Sequence, residues 1–427
     1  MIEEMQGVIR GRQEKRGVAM KRRRVVITGV GVVSPNGVGK EDFWYALKTG
    51  RCGIRKITAF DASEFPVRIA GEVVGFIPGE YMDKKKAKRM ARFSQFAVAC
   101  SRMAMEDAEL TTGILKKESP GIVMGISSTD FKTMEEQCRI LYSRGLERIN
   151  PTSSFISVPN APSGEIAGAL GLSSFNLTVS TGCASGLDAV GSGYRMIKNG
   201  ESGIVIAGGS DCPVTPLMLA TLCAADIMSK NENPAKASRP FDRMRDGGVL
   251  SEGAAVVILE EMDSALMRNA SIYAEITGYG QSIESREEAA GTGLKRAILK
   301  CFADADANPE ELSYVSAHAP SDVLLDLCET RVLKDVFGPA IYRIPVSSIK
   351  GHTGNPYSAA GVMQIISVVM GMREDIIVPT LNYEFPDPEC DLDCVPNFPR
   401  VNHMNTALVN SHGFGGANSS VLLRSFE

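Results

Sequence analysis

Tryptophan occurs once and histidine four times in 427 residues, and aromatic side chains make up only 6%. Each imidazole is therefore a place to look for chemistry. No apolar run approaches the roughly 18–20 residues that cross a bilayer; the longest, Val362 to Met372, excludes a transmembrane helix. The chain also lacks the low hydrophobicity and high net charge of a disordered protein, being 44% hydrophobic and 22% charged. Basic excess is absent from the body: the first 24 residues carry eight Lys or Arg against three Glu, leaving −9 for the rest of a chain whose net charge is −4. That balance argues against a nucleic-acid footprint. The N-terminal segment has no apolar h-region, so it is not a secretory signal, and Glu3, Glu4 and Glu14 argue against a transit peptide. Without an export signal, ten scattered cysteines read as reduced cytoplasmic thiols. Only Cys390 and Cys394 lie close together, and no nearby segment supplies the two further ligands zinc needs, so no metal site is expected.

What is present is an alternation of short β-branched runs with helical patterns, which predicts an α/β protein. Strands are expected at Arg24 to Val33, Gly121 to Gly125, Phe175 to Ser180, Gly203 to Ala207 and Ala254 to Glu260. Helices are expected at Glu41 to Lys48, Met134 to Arg144 and Ala184 to Lys198, with one amphipathic helix from Asp83 to Asp107 whose first part is basic. Ala274 to Gly280 (AEITGYG) echoes Val26 to Gly31 (VITGVG), and strand Tyr314 to Ala317 with helix Val323 to Val336 parallels strand Phe175 to Ser180 with helix Ala184 to Lys198. No Pro/Ser-rich linker interrupts the chain. These features predict two pseudo-symmetric halves, 20–265 and 266–427, preceded by a mobile extension over residues 1–19.

Cys183 lies in Ser180-Thr181-Gly182-Cys183-Ala184-Ser185-Gly186, between a predicted strand and a predicted helix. A helix start favours the thiolate, and small neighbours leave room for a substrate, so Cys183 is the expected nucleophile and the most reactive thiol. Other cysteines read as structural. His318 follows strand Tyr314 to Ala317, at the end where α/β sheets place ligand chemistry; an ordinary capping role is the alternative. Val346 to Asn355 (VSSIKGHTGN) collects Lys350, His352 and Asn355 before an Ala/Gly-rich helix. Asn410 to Asn418 (NSHGFGGAN) reads as a glycine-rich loop with one aromatic, and it fails the spacing of a P-loop or dinucleotide fingerprint.

In that order, together with Thr28 to Gly37 (TGVGVVSPNG), Arg239-Pro240-Phe241-Asp242, Arg245-Asp246-Gly247 and Asp387 to Asp393 (DPECDLD), the chain resembles the decarboxylating β-ketoacyl-acyl carrier protein synthases from about Lys21 to Leu423. The resemblance implies the thiolase fold, layered α-β-α-β-α, a homodimer with a heterodimer as the other option, and no cofactor of its own. Substrates would ride on the phosphopantetheine of an acyl carrier protein. It further implies Cys183 as acyl acceptor, His318 as active-site imidazole, Lys350 with Glu329 as its partner, and Phe414 as acyl gate. The Cys183 and Phe414 backbone N–H groups would form the oxyanion hole, and Lys85, Lys88 and Arg89 a carrier-docking patch.

The departures from the family sit around one end of the site. Asn355 stands where a second His is usual, with His352 two residues off that register; His412 stands at a usual Phe, Gly248 at another, and Ala319-Pro320-Ser321-Asp322 at a usual Gly-Thr-x-Thr. Asn can donate a hydrogen bond to a developing enolate as a neutral imidazole does, but cannot titrate. His412 and His352 are the auxiliary candidates. The leading expectation is acyl transfer to Cys183 followed by decarboxylative condensation. The alternatives are a thiol acyltransferase or malonyl decarboxylase on the same scaffold, or a non-catalytic chain-length-controlling subunit, which could dispense with Cys183.

Overall fold

A computed structural model describes residues 23–426; the extension expected over residues 1–19 lies outside them. In the first half, β1 (Val25–Ser34) leads to α1 (Lys40–Lys48), α2 (Arg92–Asp107), β2 (Gly121–Gly125), α3 (Phe131–Arg144), α4 (Ala161–Leu170), β3 (Asn176–Val179), α5 (Ser185–Lys198), β4 (Ile204–Asp211), α6 (Pro216–Ala224) and β5 (Gly253–Glu261). The second half runs β6 (Ala274–Ile283), α7 (Thr292–Ala305), β7 (Tyr314–Ser316), α8 (Val323–Phe337), β8 (Val346–Ser347), α9 (Ser358–Glu374), β9 (Thr406–Gly413) and β10 (Ala417–Ser425).

Among the described residues these ten strands hydrogen-bond in the order β8-β7-β9-β10-β6-β1-β5-β4-β2-β3. The order is two copies of one pattern. In the first half β3, β2 and β4 are parallel, with β5 and β1 antiparallel; in the second β8, β7 and β9 are parallel, with β10 and β6 antiparallel. The halves meet where Val25, Val26 and Ile27 of β1 pair with Ile276, Glu275 and Ala274 of β6. The echoed TGVG and TGYG segments have one physical cause. A Cβ at Gly29 or Gly31 would fall 2.2 or 2.0 Å from carbonyls of α2, and one at Gly278 or Gly280 2.3 or 2.0 Å from carbonyls of α7, so the glycines let an outer helix lie on each sheet.

Side chains alternate between the two faces of each strand and so build separate interiors. Val25, Ile27, Val30 and Val32 of β1 join Leu187 and Val190 of α5 and Val362, Ile365 and Val369 of α9 in a central core between the sheets. Phe96 and Cys100 of α2 pack with Ile122, Ile206 and Val256 on the outer face of the first sheet, and Leu294, Ile298 and Leu333 of α7 and α8 with Val315 and Leu408 on that of the second. The result is five layers, α-β-α-β-α.

Two sequence expectations change. The Asp83 to Asp107 helix is broken: Asp83 caps a single turn, Lys84–Ala87, and α2 begins only at Arg92 after Ala91, whose ψ is 154°. Gln95 Nε2 caps the carbonyls of Ala87 and Met90 at the break. Sheet order also places β7 where β2 stands and β8 where β3 stands, so the counterpart of β3-α5 is β8-α9 rather than β7-α8. Parallel strand–helix units look alike in sequence, and only the hydrogen-bonded order separates them.

Candidate active site

The turn after β3 carries Cys183 and the turn after β8 carries Asn355, so equivalent points of the two halves face each other. Gly182 has φ 61°, and a Cβ there would lie 2.7 Å from the Phe414 nitrogen; a Cβ on Gly413 would meet the Thr181 carbonyl at 2.2 Å. The glycines let the Cys183 turn and the β9–β10 turn touch backbone to backbone. Asn410 to Asn418 is therefore a hairpin, not a loop: Asn410 pairs with Ser420 and Gly413 with Ala417, and Gly415 and Gly416 turn the corner at φ 85° and 83°. Ser185 accepts from the Thr181 nitrogen at 2.8 Å, and the Thr181 hydroxyl donates to buried Asp188 at 2.5 Å, which fixes the turn from below.

Cys183, His318, Asn355, His412 and Phe414 line one cavity of about 360 Å³. The Cys183 sulfur is buried, with Asn355 Nδ2 3.8 Å away. Burial raises its pKa to about 11, while the Asn355 amide and the Lys350 charge pull it down. Burial of the charged form thus opposes the thiolate that a helix start favours.

Lys350 is 1% exposed and donates to the His318 carbonyl; its Nζ also lies 3.4 Å from His318 Nδ1 and 3.5 Å from Gln364 Oε1. Burial lowers its pKa to about 8. Burial, then the Lys350 and His412 charges, hold His318 well below the ordinary imidazole range, so the ring is neutral. An ammonium facing Nδ1 leaves the ring proton on Nε2, the arrangement of a neutral hydrogen-bond donor.

Glu329 is not Lys350's direct partner. Its carboxylate accepts from the His318 and Ala319 nitrogens at 3.1 and 2.9 Å and from Asn410 Nδ2 at 3.1 Å, and it acts on Lys350 through its charge. It thus holds the backbone of the His318 loop. His412 stands in the cavity wall with its ring centroid 5.3 Å from that of His318, and its Nε2 is buried without a protein partner. His352 is fully buried but does not reach the cavity; burial takes its pKa to about 4. Phe414 is exposed at the mouth, edge-on to Tyr357.

Sequence reasoning missed three supports. Gln364 Nε2 donates to the carbonyls of Ser316, Ala317 and Asn410, tying the His318 strand to β9; its signal was an amide inside the apolar run Val362 to Met372. Asn410, whose amide donates to Glu329, gives no signal apart from its glycine-rich surroundings. Buried Asp211 accepts from Ser127 and Ser128 and from the backbone and hydroxyl of Ser358, and so joins β4 to the start of α9 three residues after Asn355.

Lys84, Lys85, Lys86, Lys88 and Arg89 are all exposed. Arg92 leaves the basic patch: it forms a bidentate pair with Glu252 and lies over the Phe96 ring.

Two like-wound sheets enclosing a pair of helices, with a cysteine at the head of one helix and an asparagine before the other, define a thiolase-fold protein. The family model "Beta-ketoacyl synthase, N-terminal domain" matches residues 22–265, and "Beta-ketoacyl synthase, C-terminal domain" matches residues 273–384. The chain belongs to the β-ketoacyl synthase family. It is 40% identical over 413 residues to the 3-oxoacyl-[acyl-carrier-protein] synthase 2 of Synechocystis sp., covering 96% of this chain and 99% of that one. The protein of the same name from Coxiella burnetii is 38% identical over 409 residues, covering 95% and 99%. Among solved structures, a type II polyketide ketosynthase in complex with its acyl-carrier protein and bound to a hexaketide superimposes with TM-score 0.88 at 32% identity, and the ishigamide ketosynthase/chain length factor with 0.89 at 32%; each match covers 95% of this chain and 100% of the other.

Proposed function

We propose that this protein is a β-ketoacyl-acyl carrier protein synthase acting in fatty acid or polyketide-like synthesis. The observation that carries this reading is the convergence of Cys183, His318 and Asn355 on one cavity, in a chain that matches named synthases over nearly its whole length. Acyl transfer comes first: the Cys183 sulfur attacks the thioester carbonyl of an acyl carrier protein, the carrier thiol leaves, and the acyl group stays on Cys183. The Cys183 and Phe414 N–H groups hold the oxyanion, at roughly 2.7–4 kcal/mol per donor. Malonyl-carrier protein then enters and loses carbon dioxide. The enolate oxygen accepts from His318 Nε2 and Asn355 Nδ2, the enolate carbon attacks the Cys183 thioester, and 3-oxoacyl-carrier protein departs as the expelled Cys183 thiolate takes a proton from solvent. A neutral His318 suits this step, since it donates to the enolate oxygen without placing a positive charge that would hold the leaving carboxylate. His412, beside His318, is the auxiliary donor in this reading.

Substrates arrive on phosphopantetheine. Lys85, Lys88 and Arg89 form the docking face for an acidic carrier. A second copy of the chain is the other partner. Edge strand β3 exposes Leu177, α3 buries none of its residues, and Tyr142 and Phe155 beside them are 87% and 73% exposed, a surface suited to an isologous dimer. No helix among the described residues is long and apolar enough to cross a membrane, and the ten cysteines are free thiols, which supports a reducing, cytoplasmic setting.

The test is incubation with acyl- and malonyl-carrier proteins, read by intact mass. Acyl-Cys183, carbon dioxide and 3-oxoacyl product are expected, and Cys183→Ala should abolish loading while Cys301→Ala and Cys328→Ala keep it. Acyl mass persisting on the Cys183 variant would overturn the nucleophile, and loading without product would make the protein an acyltransferase.

A further inference from the structure

Four glycines line the cavity: Gly248, Gly413, Gly415 and Gly416. Three are demanded by the backbone. Gly413 abuts the Cys183 turn, and Gly415 and Gly416 have left-handed φ, with a Glu284 carbonyl 2.3 Å from where a Gly416 Cβ would sit. Gly248 has neither constraint. A Cβ there would meet only the Pro320 carbonyl at 3.4 Å and the Ile227 carbonyl at 4.0 Å, which is ordinary contact, and its φ lies outside the left-handed range. The backbone leaves room for a Cβ here, so the missing side chain serves the space in front of it.

That space is apolar. Leu222, Ile227, Met228, Leu250, Pro320 and Leu325 line the cavity with Gly248, and Asn355 is tied to the same segment by its nitrogen, which donates to the Val249 carbonyl at 2.8 Å. Cys183 belongs to the same packed cluster as Leu222, Met228, Val249 and Leu250, so an acyl group on its sulfur is born against this wall. We propose that Gly248 opens an apolar pouch beside Cys183 that admits an acyl group carrying a ring or branch, making Gly248 the specificity-determining residue of the acyl-loading step. The inference rests on the synthase reading above and deepens it. Shape-matched apolar pockets discriminate by about 10- to 200-fold per methylene-sized change, so filling the pouch has a measurable effect.

The test compares loading of Cys183 from hexanoyl- and 4-phenylbutanoyl-carrier protein, by intact mass against time, in the parent, Gly248→Ala and Gly248→Phe. The parent is expected to load both. The ratio of phenylbutanoyl to hexanoyl rates should fall by about tenfold or more in Gly248→Phe, and by less in Gly248→Ala. If Gly248→Phe loads neither group, the ratio in Gly248→Ala decides. An unchanged ratio, or a parent that loads hexanoyl and refuses phenylbutanoyl, overturns the pouch. A parent that loads neither overturns the synthase reading itself.

Discussion

Cys183 is held between opposing forces: burial pushes its thiol up to about 11, while Asn355 and Lys350 draw it back. On the proposed mechanism Asn355 therefore acts on both half-reactions, weakly on the thiol and strongly on the enolate. Asn355→Ala should slow malonyl decarboxylation by roughly 10²–10³, as loss of an oxyanion donor does, with acyl loading surviving. The midpoint of the pH profile for Cys183 alkylation should rise further in that variant. A parent-like decarboxylation rate would transfer the role to His412. Lys350 sets a second pH dependence. Its pKa of about 8 is depressed from 10.5, so the ammonium that orients His318 is lost as pH climbs through 8, and decarboxylation should fall there. The unfolded chain keeps that proton until about 10.5, so over this window Lys350's own contribution to stability rises with pH. Activity measured beside circular dichroism separates the two: the rate should drop while the fold persists. At this scale the sequence made the meeting of Cys183, His318 and Asn355 in one cavity readable, since each follows a strand. Glu329 was misread because its spacing from His318 does not reveal that its oxygens face backbone N–H groups rather than the Lys350 ammonium.

The basic segment shows how far an element can be read from its charges. Lys85 and Arg89 are exposed, whereas Arg92, three residues on, is committed to Glu252, a partner 160 residues away that no local pattern points to. Reversing Lys85 and Arg89 to Glu should raise KM for carrier-bound acyl substrates, most at low salt, and leave small thioesters unaffected. Equal loss with both would assign the damage to folding. The break before α2 was hidden for a related reason: helical spacing of apolar residues continues across it, and only Ala91's extended backbone and the Gln95 cap mark the division. The glycines of Gly413 to Gly416 suggested a loop, yet two of them build the tight turn of a hairpin and one the contact with Cys183.

For the whole molecule, the duplication was legible in the TGVG echo, but the pairing of units was not, since strand order depends on hydrogen bonds between distant segments. The exposed surface around β3 carries the last prediction. Phe155→Asp with Tyr142→Asp should halve the mass seen by sedimentation from that of two copies, and a parent already sedimenting as one chain would remove the dimer. Finally, the position of β10 between β9 and β6 bears on synthesis at the ribosome. Until residues 417–425 emerge, the second sheet exists as two disconnected pieces, and the hairpin that closes over the Cys183 turn cannot form. A growing chain thus carries its Cys183 thiol long before the hairpin packs against it, with unpaired strand edges and bare apolar faces for a chaperone to shield. The Cys183 turn therefore gains its backbone contact with Gly413 and Phe414 only after residues 417–425 have been made.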